Sequence, residues 1–303
     1  MTTFAAYDRY MRSVRSAYTF LGLAHAVDGQ SFSFPPYSDL EGRPKNEVFA
    51  IVVAALGMRV RHLDEALAAQ LLERPFLRYV SFLGKDLFIP IVNKEGEEWY
   101  ATSSIHNFDF VVESFIGMHS GARIIYDFGS HQGVWSLYYA LSAGETGRIY
   151  SIEPSILNVE CALLSFLINE IGNVITIPAG IGSSNATIGP AQDGLLVSGV
   201  SHMIRLLKAD EIMWEPADFV KIDIEGFEWD MLRSFPLFHH CRNVHLELHI
   251  PHLERRGLDY REIVRLIPFD LVQVRNYKGL RLTEVGPDDT LEGYCSLLIT
   301  PRP

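Results

Sequence analysis

From Arg123 onward, short apolar stretches alternate with longer stretches of helical length, and this alternation restricts the fold more than any other feature of the chain. Residues 124–126, 148–152, 174–177, 219–224 and 243–250 read as strands. Residues 133–143, 156–171, 227–235 and 260–267 read as the helices that follow them, with Gly144 and Gly172 placed to stop the first two. Strands that alternate with helices imply a parallel sheet covered on both faces. Residues 271–275 and 294–300 close the chain as two more strands. The polar segment between them carries no helical pattern, so these last two pair antiparallel. The expected fold is α/β, a Rossmann-like sheet of seven strands.

The N-terminal part has a different texture. Residues 4–27 and 47–73 read as helices, separated by a loop marked by Pro35, Pro36, Gly42 and Pro44. Strands are predicted over 76–82 and 86–92, turning at Gly84, then a polar turn over 93–98, a strand over 99–102 and a helix over 108–118. Residues 1–80 are therefore read as a mainly helical extension or cap, and 81–303 as the α/β domain.

The charge balance excludes some partners. The 303 residues hold 26 Lys and Arg against 37 Asp and Glu, a net charge of −11. Nucleic-acid binders and proteins of anionic membrane surfaces rely on the opposite excess. The longest apolar run, residues 48–58, is shorter than the ~20 residues of a spanning helix. The N-terminus has no basic start followed by an apolar stretch, and Cys161, Cys241 and Cys295 are scattered, without a Cys-x-x-Cys. The expected location is the cytoplasm, with a small-molecule partner.

Chemistry concentrates at the strand ends. Tyr126-Asp127-Phe128-Gly129-Ser130-His131-Gln132-Gly133 lies where the first strand of the alternating region gives way to its helix, where open α/β sheets bind ligands. Its glycines permit a tight turn and close approach to the backbone. Asp127 suits an ammonium group better than a phosphate. Glu153 falls twenty positions after Gly133, at the end of the next strand, placed to accept from a ribose diol. A nucleoside with a cationic amino-acid tail fits this pair, and S-adenosylmethionine is such a ligand. In Asp218-Phe-Val-Lys221-Ile-Asp223-Ile-Glu225-Gly226-Phe-Glu228, alternation puts Lys221, Asp223 and Glu225 on one side, with Asp223 near the ligand end. Glu228 reads as a favourable charge in a first helical turn. His245, Glu247 and His249 share a face of the following strand. His249 is a candidate general base, or a ligand with Asp223 for a divalent metal; an orienting or merely polar role is the other reading. His239, His240 and His252 read as exposed loop residues.

Taken together, Asp127-Phe-Gly129-Ser-His-Gln-Gly133, Ile152-Glu153-Pro154 with Asn158, Val220-Lys-Ile-Asp223-Ile-Glu225-Gly226-Phe-Glu228 and Glu247-Leu-His249 resemble the FkbM family of S-adenosylmethionine-dependent methyltransferases, over roughly residues 98–280. The resemblance implies a class I methyltransferase sheet and O-methylation of a hydroxyl on a secondary metabolite or sugar. It implies that Asp127, Gly129, Ser130, His131 and Gly133 line the methionine end, that Glu153 holds the ribose, that Ala179 and Gly180 border the adenine, and that Asp223 sits near the reacting methyl. The chain departs from the family pattern at Ser130-His131, where Ala-Asn is usual. Asp223 and His249 are the expected catalytic pair. A divalent metal on Asp223, Glu225 or His249 is an added alternative. Rival readings are an NAD-dependent oxidoreductase, for which the intermediate glycine of the dinucleotide fingerprint is missing, and a non-catalytic partner subunit that binds the cofactor. A carboxylate or amine is the alternative acceptor, and a homodimer is compatible with the chain.

Overall fold

The structure, a computed structural model, describes residues 2–23, 34–63, 65–82, 84–101, 121–189, 204–241, 243–278 and 281–302. Helix α1 (Phe4–Phe20) is capped by Thr3, whose hydroxyl accepts from the Ala6 amide. The helix expected over 47–73 is divided into α2 (Lys45–Leu63) and α3 (Glu65–Ala68), and its last residues belong to strand β1 (Leu71–Phe82). β1 pairs antiparallel with β2 (Lys85–Asn93), and the register shifts between Leu71 and Phe76, the irregularity that accommodates Pro75 and its missing N–H. The turn and strand expected over 93–102 are instead helix α4 (Lys94–Tyr100). Asn93 caps it by accepting from the Gly96 amide, and Glu95 and Glu97 occupy its first turn, so local capping outweighs the β preference of Trp99 and Tyr100. The helix expected over 108–118 lies outside the described residues.

The alternating region follows the expected order. It runs β3 (Ile124–Phe128), α5 (Val134–Ala143), β4 (Arg148–Ile152), α6 (Ile156–Ile168) and β5 (Val174–Ile177). A small sheet follows, of β6 (Gly180–Ile181), β7 (Ala186–Ile188) and β8 (Ile204–Leu207), which the sequence reading did not anticipate. Then come α7 (Ala209–Ile212), β9 (Phe219–Ile222), α8 (Glu228–Ser234), α9 (Leu237–His240), β10 (Val244–His249), α10 (Ile250–Arg255), α11 (Arg261–Val264), β11 (Val272–Lys278), β12 (Arg281–Glu284) and β13 (Tyr294–Pro301). The main sheet has the order β12-β11-β13-β10-β9-β3-β4-β5. β5, β4, β3, β9 and β10 are parallel neighbours, and β13 runs antiparallel between β10 and β11. Seven of these strands are the expected ones. The eighth, β12, arises in the polar segment before β13, and all four of its residues are exposed, so no apolar alternation marks it.

Alternate strand residues feed two cores. Ile125, Ile149 and Phe219 pack with α5, α6 and the N-terminal helices, whereas Tyr126, Tyr150 and Val220 pack with α8 to α11 on the other face. The N-terminal helices reach the domain through a buried charge pair. Arg59 of α2 donates from Nε and Nη2 to the two carboxylate oxygens of Glu160 on α6, at 2.8 and 2.6 Å. Tyr18 of α1 donates to the same carboxylate at 2.7 Å, and Arg59 Nη2 donates to Tyr10 at 3.0 Å.

Candidate active site

A cavity of about 530 Å³ opens at the carboxyl ends of β3, β4, β9 and β10. Its floor is set by a close crossing of two loops. Gly129 has φ +77°, and a Cβ there would stand 1.6 Å from the Asp223 carbonyl oxygen, so only glycine fits. The Asp223 amide donates in turn to Phe128 O at 2.9 Å. Beyond Gly129, the amides of Gly129 and Ser130 donate to Ile152 O, and the His131 amide donates to Glu153 Oε2 at 3.0 Å. Glu153 is buried on the cavity wall. Its other oxygen accepts from the Ser155 amide at 2.9 Å. Burial raises its pKa, against the opposing pull of His131 and these donors. Ala179, Gly180, Ile181, Ile204 and Leu206 form an apolar side of the same cavity. A Cβ on Gly180 would stand 2.7 Å from Leu206.

The opposite wall is ionic. Lys221 is fully buried, and its ammonium donates to Asp223 Oδ2 at 2.8 Å and lies 4.0 Å from Asp127 Oδ1. Burial alone would push Asp223 up, but Lys221 and His249 overcome it and hold the carboxyl below its ordinary range. His249 Nε2 lies 3.5 Å from Asp223 Oδ1 and 3.6 Å from Glu225 Oε2. Its Nδ1 lies 2.8 Å from Oε1 of Glu228, a carboxylate with no exposed surface. Burial would lower the imidazole, but the bond to Glu228 and the surrounding carboxylates raise it to about 9. His249 is therefore an imidazolium near neutrality. Glu247 faces the same cavity, pushed up to about 7 by burial and by Asp223.

Of the expected cofactor residues, Gly129, Ser130, His131, Glu153, Ala179 and Gly180 line this cavity together with Asp223 and His249. Asp127 and Gly133 are not among the lining residues. Asp127 is fully buried beneath the turn, where it accepts from Ser136 at 2.6 Å, and Gly133 is packed so closely on α6 that a Cβ would stand 2.7 Å from Ala162. Asp127 thus lies behind the cavity wall, beside Lys221. His245 is also interior, lowered to about 3 by burial and Lys221, with its Nε2 at 2.7 Å from Ser296. His252 belongs to α10 rather than to an exposed loop, 3.1 Å from Glu225. Glu95, Trp99 and Tyr100 of α4, and Tyr294 of β13, line the cavity without having been anticipated. Glu228 carried only its helix-terminus signal, whereas the two-residue spacing from His249 already placed Glu247 on the same face.

Donor atoms of Asp223, Glu247 and His249 lie within 4.8 Å of one another, whereas Glu225 is not part of that group. The charges already present fit a metal poorly. Lys221 already donates to one oxygen of Asp223, at 2.8 Å.

Residues 127–278 match the family model of the methyltransferase FkbM domain. The chain belongs to the FkbM methyltransferase family. That membership implies S-adenosylmethionine as cofactor, and Gly129, Glu153, Ala179 and Gly180 line one cavity that could hold it. No curated protein matches the chain. Among solved structures, it is similar to an FkbM methyltransferase from Methylobacillus flagellatus, with 16% identity and a TM-score of 0.40, covering 69% of this chain and 62% of that one. It thus spans less than two thirds of the Methylobacillus protein. It is also similar to an S-adenosylmethionine-dependent O-methyltransferase from Thermotoga maritima, with 12% identity, TM-score 0.39 and coverage of 75% and 78%. A third is a methyltransferase described as putative from Streptococcus mutans, in complex with S-adenosylhomocysteine, with 9% identity, TM-score 0.42 and coverage of 64% and 97%. Among the described residues, no helix is long and apolar enough to cross a membrane.

Proposed function

We propose that the protein transfers a methyl group from S-adenosylmethionine to a hydroxyl oxygen of a small-molecule acceptor. The observation that carries this reading is that Glu153 and the Asp223–Glu247–His249 group face one cavity. Glu153 would accept from the ribose diol, with the adenine against Ala179, Gly180 and Ile181. The cofactor, when bound, supplies an activated methyl and a neutral thioether leaving group.

The chain's part is to place the acceptor oxygen in line with that methyl and to take its proton. As the oxygen–carbon bond forms, the carbon–sulfur pair passes to sulfur and the hydroxyl proton must leave. Asp223, held ionised by Lys221, fixes His249, whose Nε2 lies 3.5 Å from its Oδ1. His249 enters as an imidazolium, so it stabilises negative charge instead of accepting the proton. Glu247, at about 7, is matched to receive that proton near neutrality. In this reading Glu247 is the base, where His249 or Asp223 was first expected.

Titration calorimetry with S-adenosylhomocysteine, followed by turnover with a panel of hydroxyl, carboxylate and amine acceptors, tests the reading. Micromolar binding that weakens in Glu153→Gln, with turnover confined to hydroxyl acceptors, supports it. No binding, or transfer to amines only, overturns it.

A further inference from the structure

Helix α4 lies outside the stretch matched by the family model, yet it is joined to the cofactor turn at two points. Asn93, its cap, accepts from Gln132 Nε2 at 2.7 Å. Gly96 packs closely on the same side chain, since a Cβ would stand 2.5 Å from Gln132 Oε1 and oblige that side chain to shift. The second point is His131, the position where the chain departs from the family pattern. Tyr100 Oη is hydrogen-bonded to its Nδ1 at 2.6 Å, and Glu95 Oε2 is 3.1 Å from its Nε2, within ion-pair range but not aligned for a hydrogen bond. Both ring nitrogens are thus faced by α4, and the contact of His131 toward the ribose side is its backbone amide, on Glu153. The backbone there has φ +50°, a conformation unfavourable for any residue with a Cβ, so something must hold it. Tyr100 is itself fixed, its carbonyl accepting from Arg78 on β1 at 2.5 Å.

We propose that α4 is a clamp for cofactor binding: Glu95 and Tyr100 grip the His131 ring and thereby hold the left-handed turn whose amide presents Glu153 to the ribose. Glu95 and Tyr100 are positioning residues in this scheme, acting through His131. The proposal rests on the reading that Glu153 receives the ribose diol. It requires no acceptor to test, because it concerns binding alone.

The experiment is calorimetry with S-adenosylhomocysteine and with adenosine, on the full chain and on Glu95→Gln, Tyr100→Phe, His131→Gly and Glu153→Gln. Each α4 substitution removes one polar contact, so Kd for both ligands should rise about fivefold. The equal effect on adenosine, which lacks the amino-acid tail, locates the loss at the ribose. His131→Gly relieves the backbone strain and removes the ring, so in that background Glu95→Gln and Tyr100→Phe should add nothing further. That non-additivity separates the clamp from general destabilisation, which would persist in the His131→Gly chain. Unchanged affinity in Glu153→Gln overturns the ribose assignment itself. Unchanged affinity in the α4 variants alone, or full additivity with His131→Gly, overturns the clamp and leaves the ribose assignment standing.

Discussion

Glu228 Oε1 lies 2.8 Å from His249 Nδ1 and also accepts from the Gly226 amide at 3.1 Å. One buried oxygen therefore fixes both the loop after β9 and the imidazole at the end of β10. Glu228→Gln keeps the shape and removes the charge. The His249 pKa should fall from about 9 toward the ordinary 6.5, read by NMR titration of the imidazole protons. An imidazole that still titrates near 9 would show that the other carboxylates suffice.

Stability should decline in alkali. His249 is raised in the folded state, so its contribution is fully present below about 6.5 and is lost as pH rises through about 9. Glu247, raised from 4.5 to about 7, acts in the same direction over a lower window, its contribution lost as pH rises through about 7. Urea denaturation from roughly pH 6 to pH 10 should show a falling midpoint, and the upper part of the fall should flatten in Glu228→Gln.

Asp223→Asn should separate binding from turnover. It removes the carboxylate nearest the buried Lys221 ammonium, so stability should drop by about 3 kcal/mol. Turnover should be lost, while S-adenosylhomocysteine still binds through Glu153. Retained turnover would remove Asp223 from the chemistry.

The Arg59–Glu160 pair should behave as a buried ion pair. Glu160→Ala strands the guanidinium and should cost about 3–5 kcal/mol in chemical denaturation. Arg59→Met combined with Glu160→Leu should recover most of that loss, because neither change leaves a charge behind. An equal loss in the double variant would show that geometry, not charge, ties α2 to α6.

A chelator should leave turnover unchanged. Lys221 and the protonated His249 already compensate Asp223 and its neighbours, so added magnesium or manganese should bring no gain. Loss of activity in chelator with recovery on adding either ion would assign the Asp223–Glu247–His249 group to a metal.

Much of this was legible in the sequence because strands and turns there obey local rules. The alternation after Arg123 gives the sheet, and the interval from Gly133 to Glu153 puts the acid on the cavity wall. Asp127 was expected on the lining and lies behind it, because a strand-end carboxylate has the same signature whether it borders a cavity or packs on Ser136 and Lys221; only packing separates the two. Helix α4 was misread because Trp99 and Tyr100 favour strands while Asn93 acts through a cap whose partner is Gly96. Glu95 and Tyr100 meet His131 only through the tertiary fold, and no spacing between them reports it. β12 escaped because a fully exposed edge hairpin has no buried face to pattern its residues.

Lys221, enclosed between Asp127 and Asp223, makes Asp223 a stationary part. Were Asp223 to swing out to meet an incoming molecule, it would leave an ammonium sealed in the interior without its nearest partner, with Asp127 4.0 Å away. Approach must therefore be made by the guest, which arrives at an anion aligned beforehand, and little reorganisation energy is left to be spent at the moment of transfer.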